Sequence, residues 1–173
     1  MHESWHENWE VVPNFPQYEV SDRARFRNRE TGRIMILTPN QFGDLTVGFT
    51  LEGKQYRRSA KVVVARAFCL GEDEKFNTAM LLDGDKNNIL PYNIVWRPRW
   101  LAWEYHRQFE NQPIWYFHGP IVDRAGNEYG SIFEAAIMTG SLCSHIRQSI
   151  HNGTKVFPGG EIFRFKKGDS YSK

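Results

Sequence analysis

The sequence is poor in cysteine, in long apolar runs and in excess charge of either sign. Its 173 residues include two cysteines, Cys69 and Cys143, and no CxxC pair. A thiolate zinc site and a disulfide framework are therefore not expected, and a reducing compartment fits. No apolar run approaches the roughly eighteen residues of a membrane-spanning helix, so no membrane partner is expected. The opening MHESWHENWE is acidic and polar, unlike a secretory signal, and the expectation is a soluble cytoplasmic protein. Lys and Arg number 22 against 20 Asp and Glu, a net charge of +2. That balance neither demands nor excludes nucleic acid, because the placement of the charges decides. Aromatic residues, by contrast, are abundant at 14%, and a hydrophobic share of 40% permits a packed core.

The order of patterns predicts an α+β chain. Residues 9–58 read as β, with apolar or alternating runs at 18–20, 34–37 and 45–51 punctuated by Gly32, Gly43 and Gly53. Residues 59–69 read as a helix with Ser59 at its N-cap and Val62, Val63, Ala65 and Phe68 as the buried stripe. Strands at 79–82 and 93–96 flank the polar turn Asp83-Gly84-Asp85-Lys86-Asn87-Asn88, and a helix follows over 99–110. Residues 111–120, with Pro113, Gly119 and Pro120, are expected to be a linker. Beyond it, a hairpin over 121–129 precedes Ser131-Ile132-Phe133-Glu134, a capping-box pattern. That helix should stop at Gly140. A second follows over 142–150, ended by Gly153, and a strand closes at 162–165. Two short helices around a glycine turn make helix-turn-helix geometry. The expected parts are therefore a small β-rich module over 1–58, a strand-strand-helix core over 59–110, the linker, and a helix-turn-helix module over 121–173.

The basic residues cluster although the total charge is small. Arg23, Arg25, Arg27 and Arg29 recur at every second position, so on an extended strand all four share one face. Such a row suits a phosphate backbone; the other reading is a solvated face neutralised by Asp22 and Glu30. Lys54, Arg57, Arg58, Lys61 and Arg66 form a second cluster with no acid among them, and Arg147, Lys155, Arg164, Lys166 and Lys167 a third. In the last helix Leu142, Ile146 and Ile150 should face inward, leaving His145, Arg147, Gln148 and His151 outside. Arg and Gln are residue types that read base edges or phosphates, and they are equally ordinary on a helix surface. Cys143 and His145 diverge by about 200° on a helix, so Cys143 reads as a core thiol.

Several of these features together resemble one family, the phage and intron-encoded HNH homing endonucleases with accessory DNA-binding modules. The N-terminal match runs through Trp9-Glu10, Phe15, Tyr18-Glu19-Val20-Ser21 and Gly32. The core match runs through Val64-Ala65, Phe68, Asp83-Gly84, Lys86, Asn88, Pro91 and Asn93-Ile94-Val95-Trp96. The C-terminal match includes Val122, Gly126, Tyr129, Ser131, Glu134-Ala135-Ala136, Thr139-Gly140, Ile146, Ile150 and Gly159-Gly160. The resemblance implies a ββα-metal core between a nuclease-associated module and a helix-turn-helix repeat, laid in series along duplex DNA.

The same resemblance places an Asp-His pair just before the Asp-Gly turn, as metal ligand and general base, and a second ligand in the following helix. Here those positions hold Met80, Leu81 and Ala102, while the loop-steadying Asn is kept as Asn93. Methionine, leucine and alanine neither bind Mg²⁺ nor deprotonate water. Asp83, Asp85 and His106 are the remaining nearby groups, and the two aspartates are expected to shape the turn. The Asp83-x-Asp85-x-Asn87 run does not make a calcium loop, because its sixth position is Asn88 and its twelfth Ile94. The expectation is a degenerate HNH-like core with no catalytic residue, no metal and no cofactor. The chain would be a phage-encoded monomer binding duplex DNA as a repressor or mask, or structured RNA or a ribosome as a host-takeover factor. The alternative is an active metal-dependent DNA nickase with relocated ligands. The residues expected to touch nucleic acid are Arg23, Arg25, Arg27, Arg29, Lys54, Arg57, Arg58, Lys61, His145, Arg147, Gln148, Lys155 and Lys166.

Overall fold

The structure is a computed structural model in which residues 6–166 are described. Lys167 therefore lies outside the described residues. Two compact units are present, one extending to Arg99 and one beginning at Trp100.

The first unit opens with an antiparallel meander, β1 (Trp9–Val11), β2 (Tyr18–Ser21) and β3 (Phe26–Asn28). A second meander contains β4 (Thr38–Pro39), β5 (Leu45–Leu51) and β6 (Lys54–Ser59). The β5–β6 turn is two residues long, Glu52 and Gly53, with φ values of 50° and 77°. Positive φ at both centres twists a two-residue hairpin to match its strands, which is why glycine sits there. Helix α1 (Ala60–Phe68) follows without a break, then the two-stranded ribbon β7 (Thr78–Leu81) and β8 (Ile94–Arg97).

One hydrophobic core unites these elements. It contains Phe15, Val20, Phe26, Val47 and Phe49 from the meanders, Val63, Val64 and Ala65 from α1, and Leu81, Ile94 and Trp96 from the ribbon. The Phe15 and Phe49 rings stack with centroids 4.7 Å apart. The boundary expected at 58/59 thus falls inside a single core, because α1 packs against β5 and β2 as well as against β7 and β8. The strand expected over 34–37 makes only an isolated bridge, Arg27 with Ile34. Met35 and Leu37 pack on the core while Ile36 is 84% exposed, so alternation survives without a full ladder.

The second unit begins with α2 (Arg99–Arg107), whose first residue still belongs to the first unit and whose inward residues are Leu101 and Tyr105. A sheet of order β10-β9-β11 combines β9 (Ile121–Asp123), β10 (Glu128–Tyr129) and β11 (Phe163–Phe165), and it packs with α3 (Ile132–Thr139) and α4 (Cys143–Asn152). The segment expected to be a linker is instead folded. Ile114–Phe117 form a 3-10 turn, and Tyr116 enters the second core beside Ile121, Ile132, Ile146 and Phe163. Its ring stacks on Phe133 at 5.9 Å. Proline and glycine marked a break there, but the three aromatics between them had apolar area to bury. Gly119 closes this segment on the hairpin. A Cβ there would lie 2.1 Å from the Gly130 carbonyl oxygen, so no other residue fits.

The Ser131 half of the capping box forms, and the Glu134 half is displaced by one residue, onto Gly130 instead of Ser131. The Ser131 hydroxyl accepts from the Glu134 N–H at 3.0 Å, and the Glu134 carboxylate accepts from the Gly130 N–H at 2.6 Å. Gly140 ends α3 in the left-handed region, at φ 63° and ψ 38°.

Candidate nucleic-acid interface

The basic rows expected from the sequence resolve into paired and unpaired groups. The four-in-line arrangement of Arg23, Arg25, Arg27 and Arg29 does not form. Ala24 has a φ of 56°, in a turn where the Ser21 hydroxyl accepts from the Arg23 and Arg25 N–H groups at 3.3 and 3.1 Å. Only Arg27 of the four therefore lies on β3.

Acids also meet this row. The Arg25 guanidinium forms a two-pronged pair with Glu7, its Nε donating at 2.8 Å and its Nη2 to the second oxygen. Arg27 lies 2.7 Å from Glu19 with its guanidinium 3.9 Å from the Trp9 ring centre, and Arg29 lies 3.5 Å from the same glutamate. The hydrogen bonds from Arg25 hold Glu7 far below the usual carboxylate range, from 4.5 to about 2. Asp22 and Glu30 are the acids nearest in sequence, but Glu7 and Glu19 neutralise the row: β2 pairs with β3 so that Glu19 faces Arg27, and Glu7, just before β1, reaches Arg25 in the β2–β3 turn. A guanidinium already bonded to a carboxylate is a poorer phosphate ligand.

The second cluster is more open. Lys54 and Arg57 are exposed and have no ion-pair partner among the described residues. Strand alternation places Lys54 and Arg58 on one face of β6 and Arg57 on the other. Arg58 lies over the Phe15 and Tyr56 rings at 5.5 and 5.3 Å. Lys61 is tied to Asp44 at 3.3 Å, and Arg66 to Glu72 at 2.9 Å.

In the second unit, α4 presents the surface that its pattern predicts. Leu142 and Ile146 are buried and Ile150 packs against the core from a half-buried position. Ser149 takes the remaining inward place: its hydroxyl donates to the Thr154 carbonyl at 2.6 Å and accepts from the Phe163 N–H at 3.0 Å. Arg147, Gln148 and His151 are exposed, and His145 is half-buried. Cys143 is wholly buried and desolvation pushes its thiol up to about 12, which suits a core residue. Lys155 is exposed beyond the helix, whereas Lys166 pairs with Glu128 at 2.7 Å. The patterns missed two aromatic supports, Trp9 under Arg27 and Trp115, whose ring centre is 4.8 Å from the Arg147 guanidinium. They also missed an exposed aromatic face on α2, where Trp100 and Trp103 are 50% and 61% exposed and Arg107 lies 4.7 Å from Trp103. Their spacings of three and four residues were legible; which face stays outside was not.

The turn between β7 and β8 is tied internally. Asp83 accepts from the Asn93 amide at 2.8 Å and from the Asp85 N–H at 2.8 Å through one oxygen, and from the Asn88 amide at 2.6 Å through the other. Asn93 also donates to the Asn88 carbonyl at 2.7 Å and accepts from the Asp83 N–H at 3.1 Å. Asp85 accepts from the backbone and side chain of Asn87 at 2.9 and 3.2 Å. Immediately upstream, Met80 and Leu81 are buried at 5% and 8% exposure, paired across the ribbon with Val95 and Ile94. Leu81 joins the first core and Met80 lies on the opposite ribbon face. His106 is exposed on α2, in the second unit. The resemblance implies a divalent metal at this turn, and the residues present do not fit one: a thioether and an alkyl chain stand at the ligand and base positions, and both Asp83 oxygens are engaged. Among the described residues no group of three or more His, Cys, Asp or Glu gathers as a metal site.

Three comparisons bear on this arrangement. The NUMOD4 motif matches residues 7–50, the span of β1 to most of β5. No curated protein matches the sequence. A solved structure that describes DNA binding and cleavage by the HNH homing endonuclease I-HmuI is similar, with a TM-score of 0.55 and 20% identity over 94% of this chain and 99% of that one. Among the described residues no helix is long and apolar enough to cross a membrane. The chain therefore carries a NUMOD4 motif and has the α+β fold of an HNH homing endonuclease.

Proposed function

We propose that this protein binds nucleic acid on a homing-endonuclease scaffold and occupies its target without cutting it. The observation that carries this reading is the β7–β8 turn, where buried Met80 and Leu81 stand at the chemical positions and Asp83 is committed to Asn88, Asn93 and Asp85. Phosphodiester hydrolysis needs a metal to neutralise developing charge and a base to take a proton from water. Loss of a general base alone lowers the rate by about 10² to 10⁴.

Binding has no such requirement. Lys54 and Arg57 on β6, and Arg147 and Gln148 on α4, offer donors that no described carboxylate engages. Duplex DNA is the target favoured by the likeness to I-HmuI, which is described as binding and cleaving DNA. A phage-encoded monomer acting as a repressor or mask fits this reading.

The test is anisotropy with labelled duplex DNA and a structured RNA hairpin, beside plasmid nicking in Mg²⁺ and Mn²⁺. The expected result is duplex binding that weakens steeply with salt, and intact plasmid. Metal-dependent nicking abolished by Asp83→Ala or His106→Ala overturns the loss of cleavage and restores a nickase. Binding confined to the RNA hairpin overturns the DNA assignment, and binding indifferent to salt overturns a phosphate interface.

A further inference from the structure

Away from the β7–β8 turn, the first unit contains a pocket of about 400 Å³. Its walls come from the turn after β1 (Val12, Phe15), from the β5–β6 hairpin (Leu51, Tyr56) and from the first turn of α1 (Val62, Val63). We propose that this pocket takes a single unpaired nucleotide, its base between the aromatic and aliphatic walls and its phosphate on Arg58. The proposal rests on the nucleic-acid reading above and deepens it.

Three features point to this ligand class. The first is shape and polarity. The Phe15 and Tyr56 rings lie 5.6 Å apart at 59°, and valines and a leucine complete the lining, an environment for a planar ring. The volume sits at the low end of the ~300–1,000 Å³ of ligand pockets and accommodates one base.

The second feature is charge. The Arg58 guanidinium lies over both rings and donates to the Arg57 carbonyl at 3.1 Å, and no described carboxylate pairs with it. Arg66, also in the lining, is already tied to Glu72. A cation held on aromatic faces and free of carboxylates suits an anion that arrives with a ring attached.

The third feature is an unsatisfied polar atom. Ser59 occupies the N-cap of α1, yet its hydroxyl makes no cap bond. That oxygen is buried without a partner among the described residues, although Ser59 lines the pocket. Buried polar groups are normally paired, and a base edge or ribose hydroxyl supplies a partner.

The test uses the full chain with methyl-labelled valine and leucine, titrated separately with AMP, UMP, adenosine and inorganic phosphate. With either nucleotide, the Leu51, Val62 and Val63 methyls are expected to shift saturably. Adenosine and phosphate should bind about tenfold more weakly or worse, the loss expected when either the ring or the anion contact is missing. Val62→Phe fills the slot and should remove the shifts. Arg58→Gln, at an exposed position, should reduce nucleotide affinity to that of adenosine and keeps the test decisive if the first variant misfolds.

Absence of methyl shifts with both nucleotides overturns the proposal, as does equal affinity for AMP and adenosine, or unchanged AMP affinity in Arg58→Gln. Duplex binding measured on the same samples separates the two readings. Duplex affinity without nucleotide shifts removes the pocket alone, and nucleotide shifts without duplex affinity remove the duplex assignment alone.

Discussion

Asn93 shows how one side chain sets the form of a turn. It is 4% exposed, and its amide joins the side chain and N–H of Asp83 to the carbonyl of Asn88. Asn93→Ala removes three hydrogen bonds and strips the Asp83 N–H and the Asn88 carbonyl of their side-chain partner, while Asp83 keeps Asp85 and Asn88. Chemical denaturation should show a loss of about 2–4 kcal/mol. Glu7 makes a pH-dependent contribution. Its folded value near 2 lies below its ordinary 4.5, so the stability it adds is fully present above pH 4.5 and is lost as pH falls toward 2. Thermal unfolding across that window should fall more steeply for the native chain than for Glu7→Gln, and coincident slopes would contradict the Arg25 pairing. Asp123 shifts in the same direction by another route: burial alone raises it, but hydrogen bonds from Asn127 and Tyr129 outweigh that and lower it. It acts equally in both variants and drops out of the comparison.

At the scale of the element, the three basic surfaces differ in what a mutation can report. Reversing Arg25 and Arg27 to Glu would set new carboxylates against Glu7 and Glu19, so any binding loss would be mixed with unfolding of the meander. Helix α4 gives a cleaner readout, because Arg147 and Gln148 are exposed and make no ion pair among the described residues, Arg147 resting only on the Trp115 ring. Replacing Arg147 and Gln148 together with Ala should leave the melting temperature within a few degrees and relax sequence preference, measured by competition with scrambled duplex. Each good base contact is worth about 1–3 kcal/mol of discrimination. Unaltered preference would remove α4 as the reading element. The Arg147 guanidinium over Trp115 also means that its position is set by a segment whose sequence suggested a linker.

For the whole molecule, the salt dependence of binding measures how many basic groups meet phosphate. A duplex contact releases counterions with a log–log slope of about −0.9 per phosphate neutralised. Lys54→Gln with Arg57→Gln should therefore make the slope shallower by about 1.8 if both contact phosphate. An unchanged slope would take Lys54 and Arg57 out of the interface. Strand alternation puts these two residues on opposite faces of β6, so a change of about 0.9 would identify one face as the contacting one.

The order of elements was legible in the sequence because it follows from local chemistry. The capping box at Ser131 and Glu134, the glycine stops at Gly140 and Gly153, and the Asp-Gly turn with Asn93 all act within a few residues of themselves. The identities at 80, 81 and 102, where the resemblance places the ligand and base positions, were equally plain as methionine, leucine and alanine. What the sequence left undecided depended on partners distant along the chain. Arg25 meets Glu7 and Arg27 meets Glu19 only because the meander folds, with β2 paired between β1 and β3. The row of arginines consequently reads as free charge in one dimension and as ion pairs in three. Segment 111–120 carries turn residues, yet Tyr116 is buried because Ile121, Ile132 and Phe163 offer an apolar site. The pocket beside Arg58 has the same origin, for its walls come from positions as far apart as Val12 and Arg66. Local hydrogen bonding and side-chain chemistry fixed the elements. The burial of apolar area between distant segments, and the charge neutralisation that accompanied it, decided which basic groups remain for a ligand.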